Sequence, residues 1–137
     1  QTSRLSSDII KQQQSNVTSK NEKSIEAMHQ LKEQSILMKE AILKGNIDSI
    51  GEILHNGWLH KKQMADGISN ASIDTIYDAA MACGATGGKI SGAGGGGFMI
   101  FYTPYIHKYK LIETLNTLGG KVMPYSLTNI GLTSWTI

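Results

Sequence analysis

With 137 residues, 40% of them hydrophobic, the chain is long enough to bury one sizeable core and too short for two, so a single domain over 1–137 is expected. Thirteen Lys and Arg against eleven Asp and Glu leave a formal charge of +2, and the lysines are scattered, which argues against a basic stripe that would track nucleic acid. No apolar run is long enough to span a bilayer, the polar opening from Gln1 to Lys20 has no signal core, and the one cysteine, Cys83, has no partner in the chain; no membrane partner and a cytoplasmic location are expected.

In chain order, Ser6–Val17 can form a short helix, with Ser6 or Ser7 as N-cap and Asp8 near the positive end of the dipole. From Ser24, the residues Met28, Leu31, Met38 and Ile42 recur at the steps of one helix face, which Ser35 interrupts; Gly45 and Asn46 supply the stop. A further helix over about Asp48–Met64 carries Ile47, Ile50, Leu54 and Trp58 on one face, with Lys61 and Lys62 toward its negative end. Another runs from about Ser72, its expected N-cap, to Cys83, lined by Ile73, Ile76 and Ala80 and ended by Gly84.

The character then changes. Gly87–Gly97 is dominated by glycine and leads directly into Phe98–Tyr102, an apolar and aromatic run that reads as a buried strand closed by Pro104. A helix over about Ile106–Leu118 follows, with Leu111, Ile112, Leu115 and Leu118 on one face, and then two expected strands, Lys121–Leu127 and Leu132–Ile137, with a turn at Asn129–Gly131. Helices crowding the first half and strand, helix, strand, strand in the second predict an α+β fold, an antiparallel sheet with helices on one face and extra helices in the N-terminal half.

Each ordered glycine costs roughly 0.5–1 kcal/mol in backbone entropy, so a cluster this dense calls for a role that side chains would prevent: close backbone approach, or amides turned toward a common anion. A flexible linker fits poorly, because Ile90 and Ala93 sit in or beside the run and a core-like strand abuts it. Gly92, Gly94 and Gly97 satisfy a bare G-x-G-x-x-G, but a dinucleotide fingerprint has a helix after the loop, and here a strand is expected. Gly88-Lys89 is no Walker motif, since Ile90 stands where a Ser or Thr must reach magnesium and Cys83 where the upstream glycine belongs.

The run Lys89-Ile90-Ser91-Gly92-Ala93-Gly94-Gly95-Gly96-Gly97-Phe98 resembles the third signature motif of the GHMP kinases, the group that includes galactokinase, homoserine kinase, mevalonate kinase and phosphomevalonate kinase. Ser3-Arg4, the stretch from Trp58 through Lys61-Lys62 to Ile68-Ser69-Asn70, and Gly131–Thr136 narrow the likeness to heptose-phosphate kinases of that superfamily. The resemblance implies a two-lobed kinase of which this chain is the ferredoxin-like C-terminal lobe, its opening on Gln1 instead of Met being consistent with a piece of a longer protein. It implies ATP and Mg2+ as cofactors, held mainly by an N-terminal lobe, and a heptose phosphate as acceptor, in nucleotide-sugar or surface-polysaccharide synthesis. No phosphate loop of the P-x-G-x-G-L-x-S-S-A kind and no counterpart of the catalytic Asp are found in this sequence, so no catalytic residue is expected in it and the piece alone is expected to be inactive.

On the same resemblance Lys89, Ser91, Gly92, Ala93, Gly94, Gly95, Gly96 and Gly97 are the residues expected beside the ATP phosphates. Arg4, Lys61 and Lys62 are candidates for the substrate's phosphate, with solvated lysines at a helix end as the alternative. Lys89 has a strand-end role as its alternative. No metal site is expected: His29, His55, His60 and His107 are dispersed, and although Asp74 and Asp78 share a helix face that could serve magnesium, Asp74 has a dipole reason to sit in a first helical turn. Another GHMP kinase, of fucokinase or phosphomevalonate kinase type, or a binding module that kept this lobe without catalysis, stays open; oligomeric state is not legible.

Overall fold

The computed structural model describes residues 6–126 and 128–135. Five helices and one hairpin follow in the order α1 (Ser6–Thr18), α2 (Glu22–Leu43), α3 (Ser49–Lys62), α4 (Ala71–Ala82), β1 (Gly87–Ile90), β2 (Met99–Tyr102) and α5 (Lys108–Thr117), with a 3-10 turn at Tyr105–His107. The strands β1 and β2 are antiparallel, pairing Gly87 with Tyr102, Gly88 with Phe101, Lys89 with Ile100 and Ile90 with Met99. The fold is α+β and rich in helix, as the sequence predicts.

Local chemistry sets the helix ends. Asn21 Oδ1 accepts the Ser24 amide at 3.0 Å and opens α2. At α4 the cap is Asn70 and not Ser72: Asn70 is extended (φ −150°, ψ 170°) and its Oδ1 accepts the Ile73 amide at 3.0 Å. Asp74 then accepts from Ser69 Oγ at 2.8 Å, which ties the preceding loop to the first turn of α4.

Two apolar clusters hold the domain. The larger gathers Ile9 of α1, Trp58 of α3, Ile68, Ile73 and Tyr77 of α4, and Ile90 of β1. The second joins Ala80, Cys83 and Ala85 to Leu111 of α5, with Phe101 of β2 packed against both. Cys83 is a buried free cysteine with its Sγ 3.1 Å from Thr114 Oγ1.

The apolar face read on α2 is only partly the buried one. Met28 and Ile42 are exposed, whereas Ser24, Ala27 and Ala41 are buried. Small side chains are what the close approach of α2 to its neighbours admits. On α4, Tyr77 joins Ile73 and Ala80 inside, within ring-stacking reach of Trp58 and Phe101, at 6.2 and 5.8 Å between centroids.

Two expectations need correction. A strand, β1, precedes the glycine loop, so the loop is a hairpin connection and not a lead into a single strand. The strands expected over Lys121–Leu127 and Leu132–Ile137 do not form among the described residues: 121–126 and 128–135 have no helix or strand and are exposed throughout, while Leu127, Thr136 and Ile137 lie outside the described residues. Alternating apolar residues record a capacity to pair, not a partner, and Pro124 removes an amide from the middle of the first of these segments. Asn129–Gly131 does turn, with the Ile130 amide donating to Thr128 Oγ1 at 3.1 Å.

Candidate functional site

The β1–β2 hairpin presents the glycine loop at its tip. The Ser91 amide closes the loop on Phe98 O at 2.8 Å, and Gly92, Gly94, Gly95, Gly96 and Gly97 all have positive φ. An L residue pays for that region of backbone space, which explains why glycine fills it. The loop is folded back on the core and is not a tether: the Gly95 amide donates to Ile68 O at 2.9 Å, Gly94 and Gly95 are buried, and Ala93 packs on the larger cluster. A Cβ on Gly94 would lie 2.8 Å from Ile68 Cα, so only glycine allows this approach.

The outer turn of the loop is open. At Gly92 and Gly97 a Cβ would meet nothing within 4 Å, and both residues are exposed. Among the described residues, no backbone acceptor inside the chain takes the amides of Gly92, Gly96 or Gly97. Amides left unpaired on a positive-φ turn suit the oxygens of a phosphate or the backbone of a facing loop.

Behind the hairpin, close packing leaves no room for a side chain at Gly87 or Gly88 of β1. A Cβ on Gly87 would fall 1.8 Å from Gly51 O of α3, and one on Gly88 would meet the Phe101 ring at 2.5 Å. The hairpin is thereby pressed against α3, whose last turn carries Lys61. The Lys61 ammonium donates to Gly92 O, clasping the loop to the end of α3. Burial lowers the Lys61 pKa below the ordinary lysine value, and the neighbouring Lys89 cation lowers it further.

Of the candidates named from sequence, Lys61, Lys89 and the glycine run therefore come together. Lys62 is turned elsewhere: its Nζ is 3.5 Å from Asp74 Oδ1 and 5.9 Å from the centre of the Trp58 ring. Arg4 lies outside the described residues. Ser91 is exposed at the loop's entry. Among the described residues no group of three or more His, Cys, Asp or Glu is placed to hold a metal ion.

Sequence reading missed a pairing at the centre of the domain. His55 Nδ1 of α3 is 2.8 Å from Tyr77 Oη of α4, and burial raises the Tyr77 pKa, with a smaller contribution from the Asp78 carboxylate that a hydrogen bond with the Gly88 backbone opposes. The pair locks two helices beside β1. It also missed Gln34 of α2, which with Ser35 edges a groove between α2 and α3 that opens toward Lys61 and Lys89. Ser35 interrupting an apolar face was the available signal.

A glycine hairpin clasped by a lysine, set between helices in an α+β lobe, defines a class. The chain belongs to the GHMP kinase family: the model for the C-terminal domain of GHMP kinases matches residues 38–121. Among relatives it is similar to D-glycero-alpha-D-manno-heptose 7-phosphate kinase of Campylobacter jejuni subsp. jejuni serotype O:2, at 42% identity over 117 residues, 85% of this chain and 34% of that protein. Among solved structures it is similar to a crystal structure of a sugar kinase from Campylobacter jejuni, with a TM-score of 0.60 and 41% identity over 80% of this chain and 34% of that one. The chain thus spans about a third of the length of the curated relative it matches.

Proposed function

We propose that this chain is the C-terminal lobe of an ATP-dependent, cytoplasmic sugar kinase that phosphorylates a hydroxyl of D-glycero-D-manno-heptose 7-phosphate. The observation that carries the reading is the 42% identity to a heptose 7-phosphate kinase over 85% of the chain, with the motif residues Lys89 to Phe98 set in one ordered hairpin.

ATP with Mg2+ supplies the transferable phosphoryl group when bound, chiefly on a lobe that precedes these residues. The chain's own part is positioning and charge. The amides of Gly92, Gly96 and Gly97, which no backbone acceptor among the described residues takes, can donate to a phosphate or to a facing loop, while Gly94 and Gly95 pack the loop against Ile68. Lys61 and Lys89 add positive charge where two phosphates must approach each other, which offsets their mutual repulsion. No covalent enzyme intermediate is needed, since alignment alone supplies much of the acceleration in such transfers.

The test is a chimera in which this chain replaces the matching C-terminal third of the Campylobacter jejuni heptose 7-phosphate kinase. ATP consumption is followed with heptose 7-phosphate, fucose and phosphomevalonate as acceptors. Turnover of heptose 7-phosphate alone is the expected result. Turnover of fucose or phosphomevalonate with none of the heptose phosphate moves the assignment to another GHMP kinase, and a well-folded chimera that turns over nothing favours a binding module.

A further inference from the structure

Two cavities lie between α2 and α3, and they differ in charge. One, of about 370 Å³, has Glu40, Lys44 and Glu52 on its wall, with Lys44 already paired to Glu40 at 3.1 Å. The other, of about 310 Å³, opens toward the glycine hairpin, and among the described residues on its wall there is no carboxylate. Its wall combines the apolar Leu31, Met38 and Leu54 with Lys61 and Lys89. That size and mixture, mostly apolar with a few convergent polar groups, is what small-molecule sites present.

Lys89 reaches the groove because of the strand's alternation. Gly87 lies directly on α3 at Gly51, so Lys89, two residues on, leaves the strand on the same side. Lys61 spends one donor on Gly92 O and has others to offer. No carboxylate is within salt-bridge distance of either ammonium among the described residues, so the two like charges have no counter-ion of their own. Gln34 lines both cavities, and its buried Oε1 has no hydrogen-bond partner among the described residues. An unpaired buried acceptor is costly, and a ligand hydroxyl would satisfy it.

Resting on the kinase reading above, we infer that this groove is the sugar-phosphate subsite: Lys61 and Lys89 hold the phosphate the substrate already carries, and Gln34 accepts a hydroxyl of the sugar. Lys89 then serves the acceptor and not the ATP, while the loop that follows it faces the nucleotide side. Burial first, and the Lys89 cation second, lower the Lys61 pKa.

The test is NMR titration of the isotope-labelled 137-residue chain with heptose 7-phosphate, inorganic phosphate and ATP in separate arms. Heptose 7-phosphate is expected to move the side-chain signals of Lys61 and Lys89 and the methyl signals of Leu31, Met38 and Leu54, and inorganic phosphate only the lysines, more weakly. Lys89→Gln is expected to weaken heptose-phosphate binding about tenfold with the amide spectrum of the folded chain retained, as loss of a charge-assisted bond requires. Gly57→Leu fills the groove from a helix position where a Cβ meets only Leu31 Cδ2, at 3.9 Å, and is expected to abolish sugar binding but leave inorganic phosphate on the lysines. Lys44→Gln, on the other cavity, is expected to change neither.

Shifts confined to the loop 92–97, larger groove shifts with ATP than with the sugar phosphate, no binding at all, or an unaltered affinity in Lys89→Gln each overturn the assignment. The chimera separates this from the function. An active chimera whose KM for heptose 7-phosphate ignores Lys89→Gln keeps the kinase and removes the groove. Groove binding with an inactive chimera keeps the anion site and removes the transfer.

Discussion

Lys61 shows how one side chain registers the site's electrostatics. Its proton is held less tightly in the folded chain than in the unfolded one, first because it is buried and second because Lys89 is a cation nearby. Between the lowered folded value and the ordinary lysine value the unfolded chain holds more protons, so stability rises with pH across that window. Lys89→Gln removes the second cause and moves Lys61 back up toward the ordinary value, narrowing the window. An NMR pH titration of the Lys61 side chain reads this directly; an unmoved midpoint would assign the whole shift to burial. The pairing of these two lysines was half legible in the sequence. Each stood out alone, Lys61 as a helix-end cation and Lys89 as the first residue of the motif, but 28 positions separate them and only the docking of β1 on α3 unites them. Lys62 looked equivalent to Lys61 because adjacent residues on a helix share a neighbourhood in sequence and not a face; one turns to the loop and the other to Asp74.

At the scale of elements, the glycine loop makes two kinds of demand that a sequence cannot separate. Gly94 is constrained by φ (+124°) and by Ile68 backbone within 3 Å of its missing Cβ, whereas Gly92 is constrained by φ (+97°) alone. Gly92→Ala is therefore expected to cost about 1–2 kcal/mol, the penalty for an L residue in left-handed space. Gly94→Ala adds a clash with backbone and is expected to cost about 3 kcal/mol or more. Denaturant unfolding of the two variants checks the order, and equal costs would mean the loop does not rest on Ile68 as described. Asn70→Ala is expected to cost about 1 kcal/mol by the same measurement, as loss of an N-cap does, with Ser72→Ala near neutral.

The helices were readable because each carries its own evidence: periodicity, caps and stops lie within one segment, and α1 to α5 fall within a few residues of expectation. Strand β1 was not readable, since Gly87-Gly88-Lys89-Ile90 has almost no side chains to alternate and owes its conformation to β2 and α3. The segments after Gly120 erred the other way, with alternation present and no pairing among the described residues.

Taken whole, the molecule is a helix-rich α+β domain with a glycine hairpin docked on α3. Large apolar side chains stay exposed on it, Phe98 beside the glycine loop at 63% and Trp135 at 80%. On the proposed reading the chain positions the facing loop and the acceptor, with Lys61 and Lys89 offsetting repulsion between phosphates, and the catalytic group comes from elsewhere in the protein.

That division of labour is measured most directly by phosphoryl transfer from ATP to heptose 7-phosphate, with the purified 137-residue chain and the chimera assayed side by side. The account predicts no transfer by the chain alone and sustained turnover by the chimera. Turnover by the chain alone would contradict it.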